Sequence, residues 1–197
     1  MWISAVLACG SLLVWFAPGV AWDWQPALAA SQPWRWWSAA LVHWSEMHLA
    51  ANLAGVAVVG ALGRVAQVPT EVSLAWLASW PLLHLALLLQ PELAHYGGLS
   101  GLLHAGVAAA ATYIVRYGPQ HQRPIGWAIL LGMVVKIVWE APWGEPLRHV
   151  AGWDIATAPL AHATGALAGV SCTLLALAMS QRRPRRAGAT PSSHQEH

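Results

Sequence analysis

The chain has 197 residues, 57% of them hydrophobic and only 9% charged, with 14 tryptophans and a mean hydropathy of +0.47. A soluble domain carries roughly a quarter charged residues, so this composition excludes the water-soluble globular class and places the chain in a membrane. The net charge of +2 concerns topology and the anionic inner leaflet rather than nucleic acid, and the cysteines, Cys9 and Cys172, lie in apolar segments where they supply no disulfide framework.

A span of the hydrocarbon needs about 20 apolar residues, and six stretches qualify. The first runs over roughly 2–20. It lacks the basic n-region of a signal peptide and is followed by Trp22, Trp24, Trp34, Trp36 and Trp37, which read as an interfacial aromatic belt, so it is expected to be retained. The second, roughly 44–63, opens with His43, His48 and Asn52. His48 and Asn52 are four apart and share a helix face, with Gly55 one turn further along it. A third, roughly 71–90, carries His84.

The fourth, roughly 99–117, begins in the turn Tyr96-Gly97-Gly98-Leu99-Ser100-Gly101 and continues through His104 and a run of small residues. In the fifth, roughly 125–143, Lys136 and Glu140 are spaced i, i+4, which reads as a mutual ion pair. The sixth, roughly 158–179, carries Ala161-His162, Gly165 and Gly169. From Gln181 the chain is rich in Arg, Pro, Ser and His and is expected to be disordered. The expected fold class is an all-α membrane protein: residues 1–180 a single six-helix bundle and 181–197 a basic cytoplasmic tail.

An excess of Lys and Arg marks cytoplasmic loops. With the amino terminus inside, Arg64, Arg116, Arg123 and the cluster Arg182, Arg183, Arg185 and Arg186 fall inside, leaving Arg35 and Arg148 outside. Both termini are then cytoplasmic. The second, fourth and sixth segments run from outside to inside, which puts His48 with Asn52, Ser100, and His162 near one depth at the external face. Gly165 and Gly169 leave a smooth strip beside His162, and Gly101, Ala105, Ala108, Ala109 and Ala111 offer the matching strip, so that close packing would bring Ser100 to His162. Each residue also has an ordinary reading. A serine at a helix start is usually an N-cap, a histidine near an interface usually packs there, and an intramembrane asparagine is usually interhelical glue. Their common depth argues for a single site.

In their order and spacing, Trp34-Arg35, His43, His48-x-x-x-Asn52, Gly98-x-Ser100-Gly101 and Ala161-His162-x-x-Gly165-x-x-x-Gly169 resemble the rhomboid family of intramembrane serine proteases, over roughly Trp34 to Met179. A chain this short, with no soluble appendage and with His104 where many bacterial rhomboids carry tyrosine, is most similar to the rhombosortase branch. The resemblance implies a Ser100–His162 dyad rather than a triad, and an oxyanion site made by the Ser100 N–H, His48 and Asn52. His43, Gly98, Gly101, His104 and Gly165 are supporting residues in this reading, and the resemblance gives Lys136 and Glu140 a second reading, as the lining of a gate where a substrate helix enters. Asp154, in an external loop, is a less favoured candidate for an acid orienting His162. No cofactor or metal is implied. The expected setting is a bacterial inner membrane, with the site open to the periplasm, and the expected partners are lipid and a single-span membrane protein bearing a carboxy-terminal Gly-rich anchor. Arg64, following Gly60-x-x-Gly63, departs from relatives that carry glutamate there. The other readings weighed are a general rhomboid, a noncatalytic rhomboid-like binding protein, a histidine-ligated haem or metal protein and a transporter.

Overall fold

A computed structural model describes residues 2–181; apart from Gln181, the expected basic tail lies outside the described residues. Among those residues the chain is helical, and its only β pairing is two isolated bridges. Helix α1 spans Trp2–Val14 and a four-residue α2 spans Arg35–Ser38. The long helices that follow are α3 (Glu46–Val65), α4 (Thr70–Leu87), α5 (Ser100–Tyr117), α6 (Arg123–Glu140) and α7 (Pro159–Gln181). The six apolar segments thus correspond to α1 and α3 to α7. Helix α1 stops short of the expected end because Pro18 cannot donate to a helix and disfavours helical backbone at Ala17. Of these helices, α3 and α7 are long and apolar enough to cross a membrane, and α1 is apolar but shorter.

Local chemistry explains the boundaries around the site. Ser45 caps α3 by accepting from the His48 N–H at 3.0 Å, with Glu46 in the first turn complementing the helix dipole. Pro159 starts α7 at the position where a missing N–H costs nothing. Helix α6 ends against Ala141, whose φ of 52° and ψ of 68° are left-handed. That conformation is uncommon for a residue with a Cβ.

Helix α5 sits at the centre and packs most extensively on α7, with α4 against both α7 and α5 and α6 on another flank of α5. The α5–α7 seam is backbone against backbone. A Cβ added at Gly165 would sit 2.0 Å from the Gly101 carbonyl oxygen, and one at Gly169 would sit 2.3 Å from that of Ala105. Only glycine fits such an approach.

Residues 15–45 do not form a flat aromatic belt. Trp24 is fully buried, between the rings of Trp36 at 4.9 Å and His84 at 5.1 Å, while Trp22, Trp34 and Trp37 stay exposed. The loop folds into a cap whose core needs a large apolar ring, and Trp24 supplies it. Its buried charge is Arg35, whose Nη1 donates to Asp23 Oδ1 at 2.8 Å and to the Asp23 and Val20 carbonyls, and whose Nε donates to Gln32 Oε1 at 2.7 Å. A buried ion pair survives only when such extra hydrogen bonds offset desolvation. Trp24 and Tyr96 exchange backbone hydrogen bonds at 2.7 and 2.9 Å, and His95 Nδ1 lies 2.6 Å from Asp23 Oδ2. The cap therefore grips the strand-like segment that leads directly into α5.

Candidate active site

The turn before α5 is shaped by glycine. Gly98 has φ of +121°, a region that side chains bearing a Cβ rarely adopt, and a Cβ there would lie 2.5 Å from His48 Nε2. Its N–H donates to the Ala39 carbonyl at 3.1 Å, so the loop cap holds the turn from outside. Tyr96, buried beneath, has its phenol pushed well above the usual range by desolvation and donates to the Gly98 carbonyl at 3.4 Å. Helix α5 then starts at Ser100, whose N–H belongs to the first turn and has no partner within the helix.

Ser100 is not an N-cap. Leu99 takes that position and provides no side-chain cap, and the Ser100 hydroxyl lies 3.0 Å from His162 Nε2. His162, on the first turn of α7, is buried. Its Nδ1 lies 2.7 Å from Glu140 Oε2, the last residue of α6. A carboxylate only accepts, so Nδ1 carries the proton and Nε2 presents its lone pair to the serine hydroxyl. Lys136 Nζ approaches the same Nδ1 at 3.4 Å, but both are donors, and the ammonium is held instead by Glu140 Oε1 at 2.5 Å. His104 stacks on the other face of the imidazole, with ring centroids 4.2 Å apart and planes inclined by 15°. Its Nδ1–H donates to the Ser100 carbonyl at 2.7 Å.

Ser100, His162, His48 and Asn52 line one cavity of about 630 Å³, with His104, Glu140 and the loop before α7. His48 Nδ1 accepts from the Trp44 N–H at 3.4 Å, which leaves its Nε2–H free to donate toward the Gly98 turn. Asn52 Nδ2 lies 3.6 Å from where a Gly98 Cβ would be. His43 stands behind this wall, its ring 4.7 Å from that of His48 and its Nδ1–H donating to the Leu41 carbonyl at 3.0 Å. Burial pulls the His43 imidazole down to about 4 from its ordinary 6.5. A larger cavity of about 820 Å³, between α4 and α7, is almost wholly apolar and contains none of these residues.

The geometry thus brings together Ser100, His162, His48 and Asn52, with Gly98, Gly101 and Gly165 at the close approaches and His43 and His104 packed behind. Lys136 and Glu140 form the ion pair expected of their spacing, and Glu140 also reaches His162, a contact that sequence reasoning missed. The signal was present: an ionisable pair in an apolar helix demands a partner or water. Asp154, exposed on the cavity wall, does not hold the His162 Nδ1–H, because Glu140 does. Asp23, the hub joining Arg35 to His95, was also missed, since nothing in its local spacing marks it. His84 is fully buried against Trp24 and Tyr96 as part of the core, Glu46 is exposed, and Arg64 is exposed at the end of α3. Among the described residues, no three His, Cys, Asp or Glu side chains cluster in a metal-holding arrangement.

The Rhomboid domain family matches the chain over residues 30–179, a stretch that runs from within the loop cap into the last turn of α7. No curated protein matches the chain.

Proposed function

The chain belongs to the rhomboid family, whose members are intramembrane serine proteases, and from that premise we propose that it cleaves peptide bonds with Ser100 as nucleophile and His162 as base. The carrying observation is the 3.0 Å approach of Ser100 Oγ to His162 Nε2, with the imidazole proton on the opposite nitrogen. Serine is a weak nucleophile until a base removes its proton. Ser100 Oγ attacks the scissile carbonyl as its proton passes to His162 Nε2, forming a tetrahedral intermediate. The oxyanion is met by the Ser100 N–H, His48 Nε2–H and Asn52 Nδ2. His162 returns the proton to the leaving amine, and water, deprotonated in turn by His162, releases the acyl chain.

In this reading α1 and α3 to α7 are six membrane spans, both termini are cytoplasmic, and the cavity opens to the periplasmic side of a bacterial inner membrane. The substrate is a single-span membrane protein cut near its external boundary. Such a segment must leave its helix to reach Ser100, and glycine, about 1 kcal/mol poorer than alanine in a helix, makes that unwinding cheap. The similarity to the rhombosortase branch supports an exported protein with a carboxy-terminal signal: a Gly-rich stretch, one transmembrane helix and cytoplasmic arginines.

A fluorophosphonate probe tests the chemistry. It should label the detergent-solubilised protein at Ser100, and His162→Ala should nearly abolish labelling; a Ser100→Ala variant that labels as strongly as the parent would remove the nucleophile from this role. Co-expression with a protein bearing the tripartite signal tests the substrate class. Loss of its carboxy-terminal helix only with active enzyme supports the rhombosortase reading, whereas cleavage of amino-terminally anchored substrates instead indicates a general rhomboid.

A further inference from the structure

We infer that Glu140 is the third member of the charge system at this site: a positioning residue that holds His162 in its reactive tautomer and stabilises the imidazolium formed when Ser100 attacks. The inference rests on the proposed roles of Ser100 and His162 and goes beyond a two-residue dyad. Glu140 Oε2 lies 2.7 Å from His162 Nδ1 while Nε2 faces Ser100 Oγ at 3.0 Å, so carboxylate, imidazole and hydroxyl form one continuous chain. A carboxylate on the far nitrogen fixes which nitrogen is protonated and orients the ring, as in any serine–histidine–acid arrangement.

Helix stability does not explain the carboxylate's position. Glu140 is the last residue of α6, where the helix dipole disfavours a negative charge. Its pairing with Lys136 runs in the weaker order, with the cation on the amino-terminal side. The next residue, Ala141, takes the left-handed conformation, which ends the helix with Glu140 turned toward α7. What these unfavourable choices secure is the contact with His162. Lys136 plays a complementary part. Its ammonium holds Oε1 at 2.5 Å, balances the carboxylate's charge and leaves Oε2 for the imidazole.

His104 stacks on the ring and restrains its tilt, but with the two planes inclined by only 15° its in-plane nitrogen lone pair is not aimed at His162 Nδ1, and its own Nδ1–H goes to the Ser100 carbonyl. Asp154 and His149 line the same cavity from the loop before α7. Of the acidic groups around the cavity, Glu140 is the one in hydrogen-bond contact with His162.

The experiment is fluorophosphonate inactivation of the full chain in detergent, resolved into a maximal rate and a half-saturating probe concentration, for the parent and for Glu140→Gln, Glu140→Asp and Ser100→Ala. Glutamine loses the charge and can turn either its carbonyl oxygen or its amide N–H toward Nδ1, so it no longer fixes which nitrogen carries the proton. We expect Glu140→Gln to lower the maximal rate by at least about tenfold, within the roughly 10,000-fold that replacing a triad carboxylate by its amide can cost, with the half-saturating concentration and the melting temperature little changed. Glu140→Asp should recover part of the rate, and the ¹⁵N spectrum of His162 should show a single Nδ1–H tautomer in the parent and a mixture in Glu140→Gln. A Glu140→Gln maximal rate within about twofold of the parent, or an unchanged tautomer, would overturn the inference. So would a rate loss that only tracks loss of folded protein. Labelling that persists in Ser100→Ala would instead sink the underlying reading, so the two failures are separable.

Discussion

Helices α7 and α6 both line the cavity at Ser100, but they are built in opposite ways. Helix α7 is held to α5 by an absence of side chains: Gly165 and Gly169 lie against the carbonyls of Gly101 and Ala105, and nothing flexible intervenes between the two backbones. Helix α6 is held by its ends and by polar side chains. Gly126 is its buried residue, near its start, while Ile125, Trp127, Leu131, Val134, Val135, Val138 and Trp139 are exposed, and Lys136 and Glu140 supply the contact with His162. The Ser100–His162 distance therefore rests on a rigid seam, whereas the carboxylate behind His162 rests on a clasp that a modest movement of α6 would open.

The harshest way to break the seam is Gly165→Val. Overpacking a close interface costs about 1–3 kcal/mol even where neighbours can yield, and here the neighbour is backbone. The expected outcome is loss of most folded protein, read by size-exclusion and thermal unfolding in detergent, whereas Val134→Ala on the exposed face of α6 should change the melting temperature little.

The wall opposite α7 sharpens the comparison, because α3 lines the cavity with His48 and Asn52, the proposed oxyanion donors, without carrying the seam. Removing one preorganised oxyanion donor costs about 100- to 1,000-fold in turnover. A His48→Ala, Asn52→Ala double variant should therefore lose at least that much activity at equal folded protein, and unchanged turnover would remove both residues from the oxyanion role.

His43 gives a pH test outside the membrane-spanning helices. Its imidazole is pulled from 6.5 to about 4 in the folded chain, so the unfolded chain binds that proton first as pH falls. The stability linked to neutral His43 is thus fully present above about 6.5 and is lost progressively down to about 4. Melting temperatures measured at pH 7.5 and 4.5 should differ less in His43→Gln than in the parent.

The smallest effect belongs to the clasp's outer half. The Lys136 side chain is 47% exposed, and an exposed ion pair is worth about 0.2–1 kcal/mol. Lys136→Met should accordingly slow probe labelling by less than about fivefold, well short of the loss expected for Glu140→Gln. An equal loss from both would mean that the ammonium, rather than the carboxylate, governs His162.

By itself the sequence determined the helical class and the segments that became α1 and α3 to α7, because a long apolar run in a chain this poor in charge has few other ways to satisfy its backbone. It also determined the partners of the seam: glycine and alanine at four-residue spacing on two segments can be read as facing strips without coordinates, and His48, Asn52, Ser100 and His162 could be placed at one depth by counting along helices. Only the tertiary structure decided what met across elements with no shared periodicity. The burial of Trp24, the Arg35–Asp23–His95 hub and the grip of the loop cap on the Gly98 turn depend on how an irregular segment folds back, which local spacing does not encode. The choice of Glu140 over Asp154 as the acid beside His162 was likewise open in one dimension. Asp154 is eight positions from His162 and Glu140 is 22, but a helix terminus docked from another direction can place a distant carboxylate within 2.7 Å while a nearby loop turns its own into solvent.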